Sequence, residues 1–196
     1  MLKKLGILLI AAVALCLPAQ GIDVYMRILG QTGFADENMS VSLTEGGFFK
    51  IGAVQIGVEN TINFGSTGGG STTGKAVFKE LRISKTRNQV STDFFRKLVS
   101  GDHYDDVEII LIRSGGDPSG HYEHRLVMKF EMKLVLAESL DFSVSEGDSE
   151  VEEELVLQFG AIRVGYYKED ETGRAIRDSE AVWSRISNTA VFSVNL

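Results

Sequence analysis

The sequence predicts a mostly β protein, a small barrel or sandwich with one short α-helix, and three observations carry that expectation. Apolar and polar residues alternate over most of the chain, one stretch alone has helical spacing with capping residues, and glycine- and serine-rich segments punctuate the rest. Alternation puts one face of a strand on a core and the other in water. Many strands with a single helix then favour a closed or layered sheet over a helix-covered one.

Residues 1–21 read as a secretory signal peptide and residues 22–196 as a single domain. Lys3 and Lys4 supply a positive start, Leu5 to Leu17 an apolar run, and Ala19-Gln20-Gly21 small residues at the two positions a signal peptidase inspects. The run is too short to cross a bilayer core of about 30 Å, which takes about 20 helical residues. No membrane span is expected, and the leader implies export to the periplasm or beyond. Cys16 lies in Val13-Ala14-Leu15-Cys16, loosely like a lipoprotein processing site. Such sites take a small residue before the cysteine, and Leu15 is not small, so plain cleavage is the favoured reading.

Cleavage after Gly21 removes Lys3 and Lys4 and takes the formal charge from −7 to −9. It also removes the one cysteine, so no disulfide holds the exported chain, which must rely on its core or its neighbours. The acidic balance argues against nucleic acid and anionic membrane as partners, since both reward clustered Lys and Arg.

The elements follow in order. Ile22, Val24, Met26 and Ile28 share one strand face, with Asp23, Tyr25 and Arg27 on the other. Gln31 to Gly47 is a long, weakly patterned loop, the kind that is usually functional or disordered. Gly65 to Gly74 is rich in glycine, serine and threonine and reads as a segment that is flexible or hugs another backbone. Residues 91–100 form the one helix. Ser91 or Thr92 can cap it, Asp93 suits its first turn and Lys97 its end, and Gly101 suits the position past the end. Phe94 with Leu98, and Phe95 with Val99, give it an apolar stripe.

Val107 to Ile112 is apolar at nearly every position and reads as a strand covered on both faces. Ser114 to Gly120 reads as a turn region. Leu126, Met128, Phe130, Met132, Leu134 and Leu136 alternate with charged residues along a long strand, and Leu140, Phe142 and Val144 repeat the pattern after a break. Leu155, Leu157 and Phe159 are odd-numbered whereas Ile162, Val164 and Tyr166 are even, so a β-bulge is expected around Gly160. Lys168 to Gly173 reads as a turn, and Ala190, Phe192 and Val194 as a closing strand.

A family resemblance appears between Gly68 and Arg113. Gly68-Gly69-Gly70, Gly74-Lys75, the strand ending Leu81-Arg82-Ile83-Ser84-Lys85, a short helix, Gly101 and the strand Val107 to Arg113 occur in the order seen in the Hcp family, the haemolysin-coregulated proteins of the type VI secretion tube. Phe49 to Val58 resembles the strand before that family's glycine-rich loop. Glu154 to Phe159 with Ile162, Val164 and Tyr166 resembles its late strand, and Val182-Trp183 stands where members often carry Gly-Trp. Ahead of the helix the family shows Asp and then Ser-Pro, whereas this chain reads Arg87-Asn88-Gln89-Val90-Ser91-Thr92.

The resemblance implies an Hcp-like barrel, six copies closing into a hexameric ring, and rings stacking into a tube. It makes the long loop a bridge to the neighbouring ring, with Phe34, Met39, Phe48 and Phe49 as subunit contacts, the alternative being that these four complete the local core. The implied partners are further copies of the chain, secretion-system proteins and effector cargo. The family's tube leaves the cell without a cleaved leader, so a leader here implies separate export.

Other motifs carry less. Gly69 to Ala76 approaches a phosphate-binding loop, but Ala76 stands where a hydroxyl must meet magnesium, and a strand rather than a helix follows. His121 and His124 would face opposite ways on a strand, so no metal site is expected there. Glu146 to Glu154 holds six acids in nine residues, and Asp102, Asp105 and Asp106 form a second group. Neither fits the EF-hand pattern, and a solvated acidic loop is the simpler reading. Asn38-Met39-Ser40 is a glycosylation sequon, relevant only in a eukaryotic secretory pathway. No Gly-x-Ser-x-Gly is present and no nucleophile stands beside a histidine motif, so no cofactor and no catalysis are expected. The expected function is a structural, ring-forming one. The alternative is a monomeric exported barrel that binds carbohydrate or calcium.

Overall fold

The computed structural model describes residues 21–30, 47–64, 71–114 and 125–194. The expected leader up to residue 20, the long loop from residue 31 to 46 with Phe34, Met39 and the sequon, and the turn region carrying His121 and His124 lie outside the described residues.

Strands form where alternation is strongest. In chain order they are β1 (Ile22–Ile28), β2 (Phe48–Ile51), β3 (Ala53–Gln55), β4 (Val58–Phe64), β5 (Ser71–Phe78) and β6 (Leu81–Thr86), then α1 (Ser91–Ser100), β7 (His103–Arg113), β8 (Leu126–Ser143), β9 (Glu152–Glu169) and β10 (Ala175–Ser184). One antiparallel sheet runs β2-β1-β7-β8-β9-β6-β3, with β10 added beside β9, and β4-β5 is a separate hairpin. β2 and β3 flank Gly52, whose N–H donates to Ser84 O at 2.7 Å. One bent segment therefore pairs β1 at one end of the sheet and β6 at the other, and the sheet curls round on itself. Curling hides one face and shortens the edges a flat sheet would expose.

The main core fills the inside of the curl. Met26 and Ile28 of β1, Phe49 of β2, Ile83 of β6, Val107 and Ile109 of β7, and Leu155 and Leu157 of β9 meet there. A smaller cluster of Tyr25, Phe48, Ile110, Ile112 and Leu126 covers the other face, with Tyr167 and Ala175 packed against it. β7 is thus covered on both sides, as its continuous apolar run predicts. Each fully buried Ile or Phe contributes about 1.5–3 kcal/mol by leaving water.

α1 closes one end of the main core with Phe94, whose ring stands edge-on to Tyr104 at 5.7 Å and to Phe49 at 6.3 Å. The expected stripe is only half used: Phe95 is 53% and Val99 66% exposed, because they lie about 100° around the helix from Phe94 and Leu98. The start also differs from expectation. Neither Ser91 nor Thr92 caps; the N-cap is Val90, with no side-chain cap bond. Asn88 takes over part of that work, its Oδ1 accepting from Val90 N at 3.2 Å. Gly101 ends the helix at φ +72°, where glycine pays no Cβ penalty.

Three late elements correct the sequence reading. The parity slip of β9 is real, since Phe159 and Ile162 both face the core, but pairing with β8 does not shift there. The register shift lies at Glu138, between Ala137↔Leu157 and Ser139↔Val156. Leu134 and Leu136 do not continue the inner face of β8; Val135 is fully buried and Leu136 is exposed. Ala190, Phe192 and Val194 form no strand, and the last strand is β10 at Ala175–Ser184, exposed over most of its length. The turn before it is as expected: Asp170 Oδ1 accepts from Thr172 N at 2.8 Å and Arg174 N at 2.9 Å, and Gly173 has φ +81°.

Candidate assembly surface

The residues expected to contact other subunits divide into two groups. Phe48 and Phe49 are 1% and 0% exposed and belong to this chain's own core, with Arg27 stacked 4.5 Å above the Phe48 ring. Alternation in β2 sends them to opposite faces, and each face has its own apolar cluster, so both rings are consumed by folding. The contact expected of the loop is left to Phe34 and Met39, outside the described residues.

What the described surface offers is a set of unpartnered edges. β7 pairs β8 only as far as His103↔Leu136, while β8 continues to Ser143. The far half of β8, with β9 from Glu152 to Val156, makes a hairpin arm that has neighbours on the β9 side only, among the described strands. Phe142 and Val144 on this arm are 53% and 62% exposed. Beyond them, Glu146, Asp148, Glu150 and Glu152 are exposed without an intervening Lys or Arg. β10 likewise pairs β9 along one edge and no described strand along the other.

A buried ion pair anchors the base of the arm. Lys85 Nζ of β6 lies 2.5 Å from Glu153 Oε2 of β9, and both side chains are fully buried. Ser91 Oγ donates to Glu153 Oε2 at 2.9 Å, and Lys85 Nζ donates to Ser91 Oγ and to Asn88 Oδ1, each at 2.9 Å. This knot joins β6, the helix start and β9. Burial pushes the Lys85 ammonium below its ordinary pKa, with the bond to Glu153 opposing. Among the described residues, Glu153 Oε1 has no hydrogen-bond partner. The sequence shows Glu153 only as one acid among six; its place opposite Ser91 appears only once the strands are paired.

The second feature is a groove between the β4-β5 hairpin and the end of β10, lined by Lys75, Val77, Phe78, Trp183, Arg185 and Asn188. Phe78 seats the hairpin on the barrel through an edge contact with Phe159 at 5.7 Å. Arg185 lines the groove. Its Nη1 donates to Gln158 Oε1 at 2.8 Å and Phe159 O at 3.1 Å, and its guanidinium lies 5.0 Å from the Phe159 ring centre. Burial lowers its pKa from the ordinary value, with the charge of Glu138 opposing. Nothing in the sequence around Arg185 singles it out, because its partners come from β5 and β9.

Gly74 and Lys75 lie within strand β5, so the glycine-rich motif leads into an extended strand. Among the described residues no three His, Cys, Asp or Glu side chains are grouped to hold a metal, and no helix is long and apolar enough to cross a membrane.

Comparison with known proteins places this architecture. The sequence profile described as "Type VI secretion system effector, Hcp" matches residues 40–166. A solved "type six secretion system protein" superposes with TM-score 0.71 at 19% identity, covering 86% of this chain and 99% of its own. Hcp1 from Salmonella typhimurium superposes at TM-score 0.61 and 15% identity, over 87% of this chain and 99% of its own. A type VI secretion system effector from Yersinia pestis does so at TM-score 0.52 and 14% identity, over 83% and 99%. No curated protein matches the sequence. At such identities the structural likeness speaks for the fold.

Proposed function

This chain belongs to the Hcp family, and from that premise we propose that it is a structural subunit that closes into a hexameric ring and engages partner or cargo proteins at the ring's rim or lumen. The observation that carries the reading is the contrast between a satisfied core and an unsatisfied surface. The inside of the curl is closed by apolar side chains, whereas among the described strands β10 and the β8-β9 arm each have an unpaired edge, and Phe142 and Val144 are exposed. Open edges and apolar tips are an aggregation hazard in a lone molecule, and a closed ring of identical contacts removes it. The fold shared with solved type VI secretion proteins supports the same reading.

The loop carrying Phe34 and Met39 is assigned to contact between stacked rings. The leader at residues 1–21 is assigned to separate export, to the periplasm or outside the cell. Light scattering after size exclusion, on residues 22–196, tests the ring: a mass near six subunits is expected. A monomer at every concentration would overturn it and leave a monomeric exported binding module.

A further inference from the structure

We propose that the acidic hairpin arm of one subunit docks into the Arg185 groove of its neighbour, an inference that rests on the ring reading and names the contact that closes it. The groove is cationic and aromatic. Arg185 spends Nη1 on Gln158 and the Phe159 carbonyl, which leaves Nε and Nη2 without partners among the described residues. Lys75 on the groove wall is exposed and has no ion-pair partner among the described residues. Trp183, Phe78 and Val77 line the same groove with apolar surface. A guanidinium held beside aromatic rings is partly desolvated and presents a planar set of donors, the geometry that suits a carboxylate.

The arm has the complementary character. Glu146, Asp148, Glu150 and Glu152 form its exposed tip, and Phe142 and Val144 lie just behind them. Acids then meet Arg185 and Lys75, while Phe142 and Val144 meet the walls of the groove. The arm cannot serve its own groove in this way. Arg185 bonds Gln158 and Phe159, in the middle of β9, whereas the tip precedes the start of that strand at Glu152. Six to seven residues of extended strand separate the two, about 20 Å at roughly 3.3 Å per residue. A contact between two different surfaces of identical chains is head-to-tail, and head-to-tail contacts close rings when their rotation allows.

The test is a charge swap read by solution mass at low and high salt. Glu146→Lys with Glu150→Lys alters two exposed tip positions, and Lys75→Glu alters an exposed groove position, so circular dichroism should show each variant folded. Each change alone should raise the concentration for half-assembly roughly tenfold at low salt, with the difference shrinking at high salt as screening takes over. Combining the two should restore assembly to within a few-fold of the original chain. Tip variants that assemble like the original chain, or a combined variant that fails to recover, would overturn the docking while leaving the ring reading intact. An original chain that never assembles would overturn the ring reading, and this contact with it.

Discussion

Leu134 and Gly160 face each other across β8 and β9 at the one level where both strands turn their side chains over. The pairs Lys133↔Ala161 and Val135↔Phe159 bracket them in unbroken register. On β8 the core positions pass from Met132 to Val135, and on β9 from Phe159 to Ile162, so each strand inserts one residue at the same level. Leu134 accommodates the turn at φ +52°, a left-handed conformation that costs a non-glycine residue roughly 1–2 kcal/mol. Gly160 accommodates it by having no side chain. A Cβ there would lie 2.8 Å from Val194 Cγ1, 3.1 Å from Ile186 Cδ1 and 3.2 Å from Leu134 Cβ.

Gly160→Ala should therefore destabilise the fold by about 1–3 kcal/mol through overpacking. Urea unfolding measures it, and adding Val194→Ala, which removes the nearest methyl, should recover part of the loss. An unchanged midpoint in the single variant would show that the chain after β10 does not rest on Gly160.

The Lys85–Glu153 knot yields a double-mutant cycle. Lys85→Met alone leaves a buried carboxylate without its counter-charge and should cost about 3–5 kcal/mol. Lys85→Met with Glu153→Leu removes both charges and should be far milder, because a well-packed apolar pair often replaces a buried ion pair at little cost. Equal losses in the single and double variants would contradict the pairing.

Acid stability should depend on Asp23. Burial alone would raise its carboxyl, but the Ser114 hydroxyl donating at 2.8 Å and the Lys50 ammonium at 3.1 Å, with the charge of Arg125, hold it below the ordinary value of 3.8. A carboxylate with a depressed folded pKa adds stability that is complete above its unfolded value and lost as pH falls through the folded one. Melting temperature plotted against pH should fall more steeply below about pH 4 for the original chain than for Asp23→Asn. Parallel curves would remove Asp23 from the account.

Phenylalanines near the loop should separate folding from assembly. Phe49→Ala, emptying a fully buried site, should cost about 3–5 kcal/mol in unfolding. Phe34→Ser should leave unfolding unchanged and weaken stacking of rings, read by electron microscopy or sedimentation. A Phe34 variant that stacks normally would release the loop from that role.

How much of this the sequence shows depends on whether a residue's partners are local. β1, β7, the turn at Asp170 and the end of α1 were legible because alternation, an unbroken apolar run, an Asx turn and a helix-ending glycine are all written in consecutive residues. The slip in β9 was legible for the same reason. Its twin in β8 was not, because Leu134 and Leu136 continue the apolar alternation while the backbone turns beneath them. β10 escaped notice because exposure on both faces erases the pattern that marks a half-buried strand. Phe48 and Phe49 read as subunit contacts until pairing with β1 set them on two covered faces. The assembly surface was the least legible part: Arg185 takes its meaning from β5 and β9, and Glu153 from α1 and β6.

The solution mass of the chain from Ile22 to Leu196, followed across a wide range of concentration, tests the central claim most directly. A species near six subunits that disperses on reversing the charges of Glu146 and Glu150 is the predicted result. A monomer that persists at the highest concentrations would contradict the ring, and with it the structural role proposed for this member of the Hcp family.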